Sequence, residues 1–206
     1  MPGMLAEYME EPPGRCHKTA PERDRDSISG RDGTMSVIKL AQAERIIDAI
    51  LARGTALETR PLAVIVVEPG CKVKAFKKED GASMIRFEMA FGKAYAALAL
   101  GRSSMLVHRR AEERPIFMRY LIGASGEQIF PEGGGMVIRN EDGEVIGAVG
   151  VTGDTEDRDD ELAAFGIQAA GLKTDEDCAH MGRRIGLITT NPPAGRRSSA
   201  RKRKSK

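Results

Sequence analysis

The chain has 206 residues, of which 41% are hydrophobic and 30% charged. That is enough apolar material for one folded domain with tails, while 4% aromatics and no Trp argue against aromatic cages and stacking platforms. No apolar run nears the roughly 18 residues of a membrane span, and the acidic, Pro-rich start MPGMLAEYMEEPPGR lacks the basic and apolar regions of a secretory signal.

Three dispersed cysteines, Cys16, Cys71 and Cys178, suit a reducing, cytoplasmic setting better than a disulfide framework. None has zinc-ligand spacing to a histidine.

Residues 1–34 alternate in charge without a period and read as a disordered extension, or as a start codon placed too far upstream. Patterned text begins at Met35. Ser36 to Ile38 suggest a short edge strand or the approach to a helix. Leu40, Ile46, Ile47, Ile50, Leu51 and Leu57 then recur at three- and four-residue spacing, which predicts an amphipathic helix of about 19 residues. Arg60-Pro61 ends it.

Leu62 to Val67 is a continuous β-branched run, the mark of a central strand. Glu68-Pro69-Gly70 supplies a turn, and the alternating Val73 to Lys78 should pair back as a hairpin. From Ser83, a plausible N-cap, to Leu100 the pattern is apolar almost all round, so this helix is expected to be buried, with Gly101 as its C-cap. Ser103 to Glu113 and Pro115 to Ile122 predict two short helices.

Gly126 to Gly135 is a loop. Met136 to Arg139 and Val145 to Val151 are strands joined by a turn around Asp142-Gly143. Gly147 and Gly150 imply close backbone approach on both faces of the second strand. A last helix runs from about Thr155 to Ala170, its first turns filled with acids that suit the helix dipole or, less simply, a metal cluster.

The order α-ββ-ααα-ββ-α predicts an α+β fold, one antiparallel sheet packed by helices, over residues 35–172. Residues 173–206 form a basic, mostly disordered tail. Gly182 to Lys206 hold nine cations and no acid, leaving the other 181 residues at a net charge of −7. Such a tail can touch nucleic acid or anionic lipid, or simply stay solvated.

The motifs resemble those of the GlcG/HbpS-like family of heme-binding proteins. The matching stretches are Leu40-Ala-Gln-Ala43 with Ile46-Ile-Asp-Ala49, Val66-Val-Glu-Pro-Gly70, Ala75 to Ala82 (AFKKEDGA), and Lys93-Ala94 with Ala96-Ala97. Phe130 to Gly135 (FPEGGG), Asp142 to Gly153 (DGEVIGAVGVTG) and Asp159 continue the series. The resemblance implies a profilin-like or Roadblock-like fold, a homo-oligomer, often an octamer, and heme or a related tetrapyrrole as ligand. Glu68 stands where the family usually has Asp, Met136 where it has Pro, and Lys78 where it commonly has Arg.

For chemistry, Gly133, Gly134 and Gly135 can turn backbone N–H groups toward an anion such as a propionate, or merely make a tight turn. Glu68, Asp80 and Lys93 sit beside strand ends or on a helix, where a polar ligand group can meet them. His108 is the one histidine in the matched region and the local candidate for an axial heme ligand, with Arg109 and Arg110 as propionate partners. No Ser-His-Asp, Cys-His or paired catalytic carboxylate set shows a readable spacing. The function that the resemblance implies is a small-molecule-binding protein for heme or a related tetrapyrrole. The alternatives are an accessory enzyme or binding protein for a small carboxylate, and nucleic-acid interaction through the basic tail.

Overall fold

The computed structural model describes residues 36–178. The expected extension over residues 1–34 and the basic segment from Gly182 to Lys206 lie outside them, as do Cys16, His17 and His180.

Nine elements follow in the expected order: α1 (Leu40–Ala56), β1 (Ala63–Val67), β2 (Val73–Lys78), α2 (Arg86–Leu100), α3 (Ser104–Glu113), α4 (Pro115–Ala124), β3 (Gly135–Arg139), β4 (Val145–Thr152) and α5 (Glu156–Ala169). The four strands form one antiparallel sheet in the order β2-β1-β4-β3, an α+β architecture. Two hairpins meet along β1 and β4, so the wholly apolar β1 is central and every residue of it is buried.

Alternation along the strands divides the core. Val64, Val66, Ile138, Val149 and Val151 face Ile46, Ile47 and Ile50 of α1 and Leu162 and Ile167 of α5. Ile65, Val67, Val137 and Ala148 face Ala90, Ala94 and Ala97 of α2. Outside α2, α3 and α4 bring Val107 and Met118 against Ala96 and Ile129.

Helix α2 lies unusually low on the sheet. Gly135 and Gly150 are register partners across β3 and β4. A Cβ on Gly135 would run into the Lys93 carbonyl oxygen, and one on Gly150 into that of Ala90. The two glycines leave a hollow for the helix backbone, matched by the alanines of α2. This is the close approach that Gly150 implied.

Two expectations are corrected. Helix α2 begins at Arg86, not Ser83. Ser83 caps nothing with its side chain, and its carbonyl instead accepts from Arg86 N at 3.3 Å. Nor is the stretch buried all round, since Met84 is 90% and Ile85 56% exposed just before the helix and Phe87 is 38% exposed within it. Only its small-residue face meets the sheet. Of the two alternatives for Ser36 to Ile38 the structure takes the approach to a helix, α1, with Ile38 buried and its N–H on the Ile146 carbonyl at 2.9 Å.

Packed chain also continues past Leu172. Arg139 and Lys173 exchange backbone hydrogen bonds of 2.9 and 3.0 Å, Arg139 pairs with Asp175 at 2.7 Å, and Thr174 and Cys178 are buried. This segment covers part of the outer edge of β3, which no strand pairs. Among the described residues no helix is long and apolar enough to cross a membrane.

Candidate functional site

One end of the sheet gathers the polar groups. Strand β3 starts there at Gly135 opposite Gly150, and β4 leaves there through Gly153 into α5. The loop Phe130 to Gly134 crosses that end, between the start of α3 and the start of α5.

The three glycine amides turn to the chain's own acceptors. Gly133 N–H donates to Glu156 Oε2 at 3.3 Å, Gly134 N–H to Asp160 Oδ1 at 3.2 Å and Gly135 N–H to Ser104 Oγ at 2.7 Å. The Ser104 hydroxyl donates onward to the Glu132 carbonyl. At Gly133 and Gly134 carboxylates of α5 thus take the place of the anion that the loop was expected to cradle, and at Gly135 a hydroxyl of α3 does.

Gly134 has φ +102°, and any Cβ there would lie 2.7 Å from the Asp159 Cβ. Only glycine fits. Beneath it the Lys93 ammonium reaches Asp159 Oδ2 at 2.8 Å, with side chains 4% and 1% exposed. The other Asp159 oxygen accepts from Asp154 N at 3.1 Å. This buried pair joins α2 and α5, the helices of opposite sheet faces. Burial pushes the neighbouring Asp160 carboxyl above its ordinary pKa, and the Gly134 N–H bond partly offsets that.

His108 shares one side of α3 with Ser104 and Glu112, four residues before and after it. Its imidazole is three-quarters buried. Nδ1 lies 3.1 Å from the Pro131 carbonyl and 3.4 Å from Glu156 Oε2, while Nε2 lies 3.6 Å from Glu112 Oε1. His108, Glu132 and Glu156 each bring one metal-ligating atom within 4.8 Å of the other two.

Of the residues singled out in the sequence, Lys93, His108, Gly133, Gly134 and Gly135 therefore converge. The others do not join them. Glu68 ends β1 at the opposite end of the sheet, where it pairs with Lys74 and closes the hairpin turn. Asp80 lines a shallow open hollow of about 330 Å³ with Thr55, Glu58, Thr59, Pro61 and Glu79, an acidic setting unsuited to a carboxylate. Successive helical residues turn by about 100°, so Arg109 and Arg110 leave the side of α3 that carries His108.

Ser104 and Glu132 were not singled out, because a lone Ser at a helix start and a lone Glu in a loop carry no spacing signal. The acids of α5 were seen, and the structure uses Glu156, Asp159 and Asp160 to tie the glycine loop and Lys93 as well as to face the helix dipole.

The family described as "Haem degrading protein HbpS-like" matches residues 38–168. No curated protein sequence matches the chain. Among solved structures it is similar to Klebsiella pneumoniae protein ORFY, with a TM-score of 0.62 and 23% identity over 70% of this chain and 98% of that one. It is similar to PduOC, solved as a complex with heme, with a TM-score of 0.61 and 20% identity over 67% and 98%. A double mutant of Streptomyces reticuli HbpS gives a TM-score of 0.57 and 19% identity over 73% and 96%. At these identities the structural likeness carries the fold alone.

Proposed function

The chain belongs to the HbpS-like family of haem-degrading proteins, and from that premise we propose that it is a small-molecule-binding protein whose ligand is heme or a related tetrapyrrole. A structural neighbour bound to heme supports the same class of ligand.

The observation that carries the reading in this chain is the imidazole of His108. With its Nδ1–H donated to the Pro131 carbonyl at 3.1 Å, the ring is held in one orientation and Nε2 keeps its lone pair. That is the arrangement an axial heme ligand needs. Beside Nε2 stands the Glu112 side chain, 70% exposed and free to swing aside. Bound iron porphyrin would supply redox chemistry at the metal. The chain's own part is the donor, its tautomer and its partial burial. Propionate pairing is not assigned to Arg109 or Arg110, which leave this side of α3.

We also propose that the protein self-associates through the outer side of α2. Phe87, Phe91 and Tyr95 run along it with successive ring centroids 6.2 and 6.1 Å apart, Phe76 of β2 meets Phe87 edge-on at 5.1 Å, and the exposed Met84 and Ile85 lie just before the helix. Apolar surface of this kind is covered in stable soluble proteins, and a second copy is the occupant that the family resemblance suggests.

Hemin titration tests the ligand. The wild type should develop a Soret band, and His108→Ala should shift its maximum and weaken binding at least tenfold, about 1.4 kcal/mol. An unchanged spectrum in His108→Ala removes the axial role. No Soret band in the wild type removes the heme reading.

A further inference from the structure

We propose that His108, Glu132 and Glu156 form a site for a first-row divalent cation such as Mn²⁺ or Fe²⁺, on the Nδ1 side of the imidazole. The three residues come from α3, the glycine loop and the first turn of α5, so only the tertiary fold assembles them.

The geometry is close to that of a coordinated ion. An equilateral triangle with sides of 4.8 Å, the outer limit here, has its centre about 2.8 Å from each corner. Bonds from such metals to nitrogen and oxygen are about 2.0–2.2 Å. Rotation of two half-buried glutamates covers the difference. Nδ1 is the nitrogen that faces Glu156, at 3.4 Å, and the Pro131 carbonyl oxygen stands 3.1 Å from the same nitrogen as a further donor. One imidazole, two carboxylates and a carbonyl make a hard-to-borderline set, matched to Mn²⁺ or Fe²⁺ rather than to a soft ion.

The electrostatics point the same way. Among the described residues no Lys or Arg lies within ion-pair distance of Glu132 or Glu156. Among the described residues His108 is the one basic group paired with Glu156. Lys93, the buried cation of this end of the sheet, is taken by Asp159. Two carboxylates are thus gathered beside an imidazole without a fixed compensating charge. Gly133 N–H holds Glu156 in place, at 3.3 Å from Oε2.

The proton balance is simple. When Nδ1 coordinates the cation, the single proton of the neutral ring moves to Nε2. Glu112 Oε1 stands 3.6 Å away and, by a small rotation of its exposed side chain, accepts a hydrogen bond from that Nε2–H, the outer-shell carboxylate that commonly orients a ligating histidine. Nε2 then has no lone pair to offer. Cation and heme therefore exclude each other, a corollary that rests on the heme reading, whereas the cation site itself does not.

The test is a Mn²⁺ titration of the full chain at pH 7, followed by loss of the free-ion EPR signal, because thiols elsewhere in the chain compete poorly for Mn²⁺. One saturable site per chain is expected, with His108→Ala and Glu156→Gln each weakening it at least tenfold. Glu156→Gln keeps an oxygen acceptor for Gly133 N–H, and unchanged far-UV dichroism and melting establish that it folds. Retained affinity in either variant, or no binding by the wild type, overturns the site. In parallel, Glu156→Gln should leave the hemin spectrum intact, and saturating Mn²⁺ should suppress hemin binding by the wild type. Mn²⁺ binding without a Soret band sinks the heme reading and leaves the cation site standing.

Discussion

Replacing Lys93 with Met removes the ammonium from a pair in which both side chains are almost fully buried. The Asp159 carboxylate then keeps only the Asp154 N–H as a hydrogen-bond partner, since its other oxygen bonds Lys93 alone. Stranding a buried charge in this way costs about 3–5 kcal/mol. A domain of this size holds roughly 5–15 kcal/mol in total, so at least about a fifth of the stability is at stake. At about 2–4 °C per kcal/mol the melting temperature should fall by roughly 10 °C. Urea unfolding of the full chain at pH 7 should show a lower midpoint with the same slope. The double variant Lys93→Met with Asp159→Leu removes both charges and fills similar volume, and it should regain most of the loss. A loss under about 1 kcal/mol in the single variant would refute the claim that this pair clasps α2 to α5. So would a double variant no more stable than the single.

Gly150→Ala should destabilise strongly, by about 3 kcal/mol or more, because the new Cβ runs into the Ala90 carbonyl and lifts α2 off the sheet, while Gly70→Ala, with open space around it, should be nearly neutral in the same thermal melt. For Asp160 the sign runs from the raised native pKa: the native state binds more protons than the unfolded one between the unfolded and native values, so this group makes stability fall as pH rises through that window. Asp160→Asn, which still offers an oxygen to Gly134 N–H, should therefore gain on the wild type in urea midpoint between pH 3.5 and pH 7, and a gap that is constant with pH refutes the assignment. The self-association proposed for α2 predicts a wild-type mass above the monomer's by light scattering at micromolar concentration and a monomeric Phe87→Lys; a monomeric wild type, or a variant of unchanged mass, removes α2 from the interface.

Much of this protein was determined by local pattern. The unbroken run Ala63 to Val67 is legible as a central strand because covering both faces demands apolar residues at every position. Asp142-Gly143 is legible as a hairpin turn because a positive φ, here 84°, is tolerated by glycine. Gly150 signals close packing because a glycine weakens a strand interior and is kept there where another backbone approaches closely. Helix ends were less legible. Ser83 has the chemistry of a cap, yet the chain turns through Met84 and Ile85 first, and that choice depends on where α2 meets the sheet. The exposure of Met84, Ile85 and Phe87 was likewise invisible, since hydrophobicity states what prefers burial and not whether a partner within one chain supplies it.

The site was legible only in fragments. Lys93, His108 and the three glycines could be singled out by type, but so could Glu68, Asp80, Arg109 and Arg110, which the fold carries elsewhere. What separates the two sets is position in three dimensions. Lys93 and Asp159 are 66 residues apart and Gly135 and Ser104 are 31 apart, distances at which no local spacing rule operates. Ser104, Glu132 and Glu156 gain their roles only when β3 starts opposite Gly150 and the low seat of α2 draws α3 and α5 toward one loop. Residue type decided which groups can bond or ligate. Tertiary structure alone decided which of them meet, because the backbone register that brings them together is set by the packing of the whole sheet and not by their neighbours in sequence.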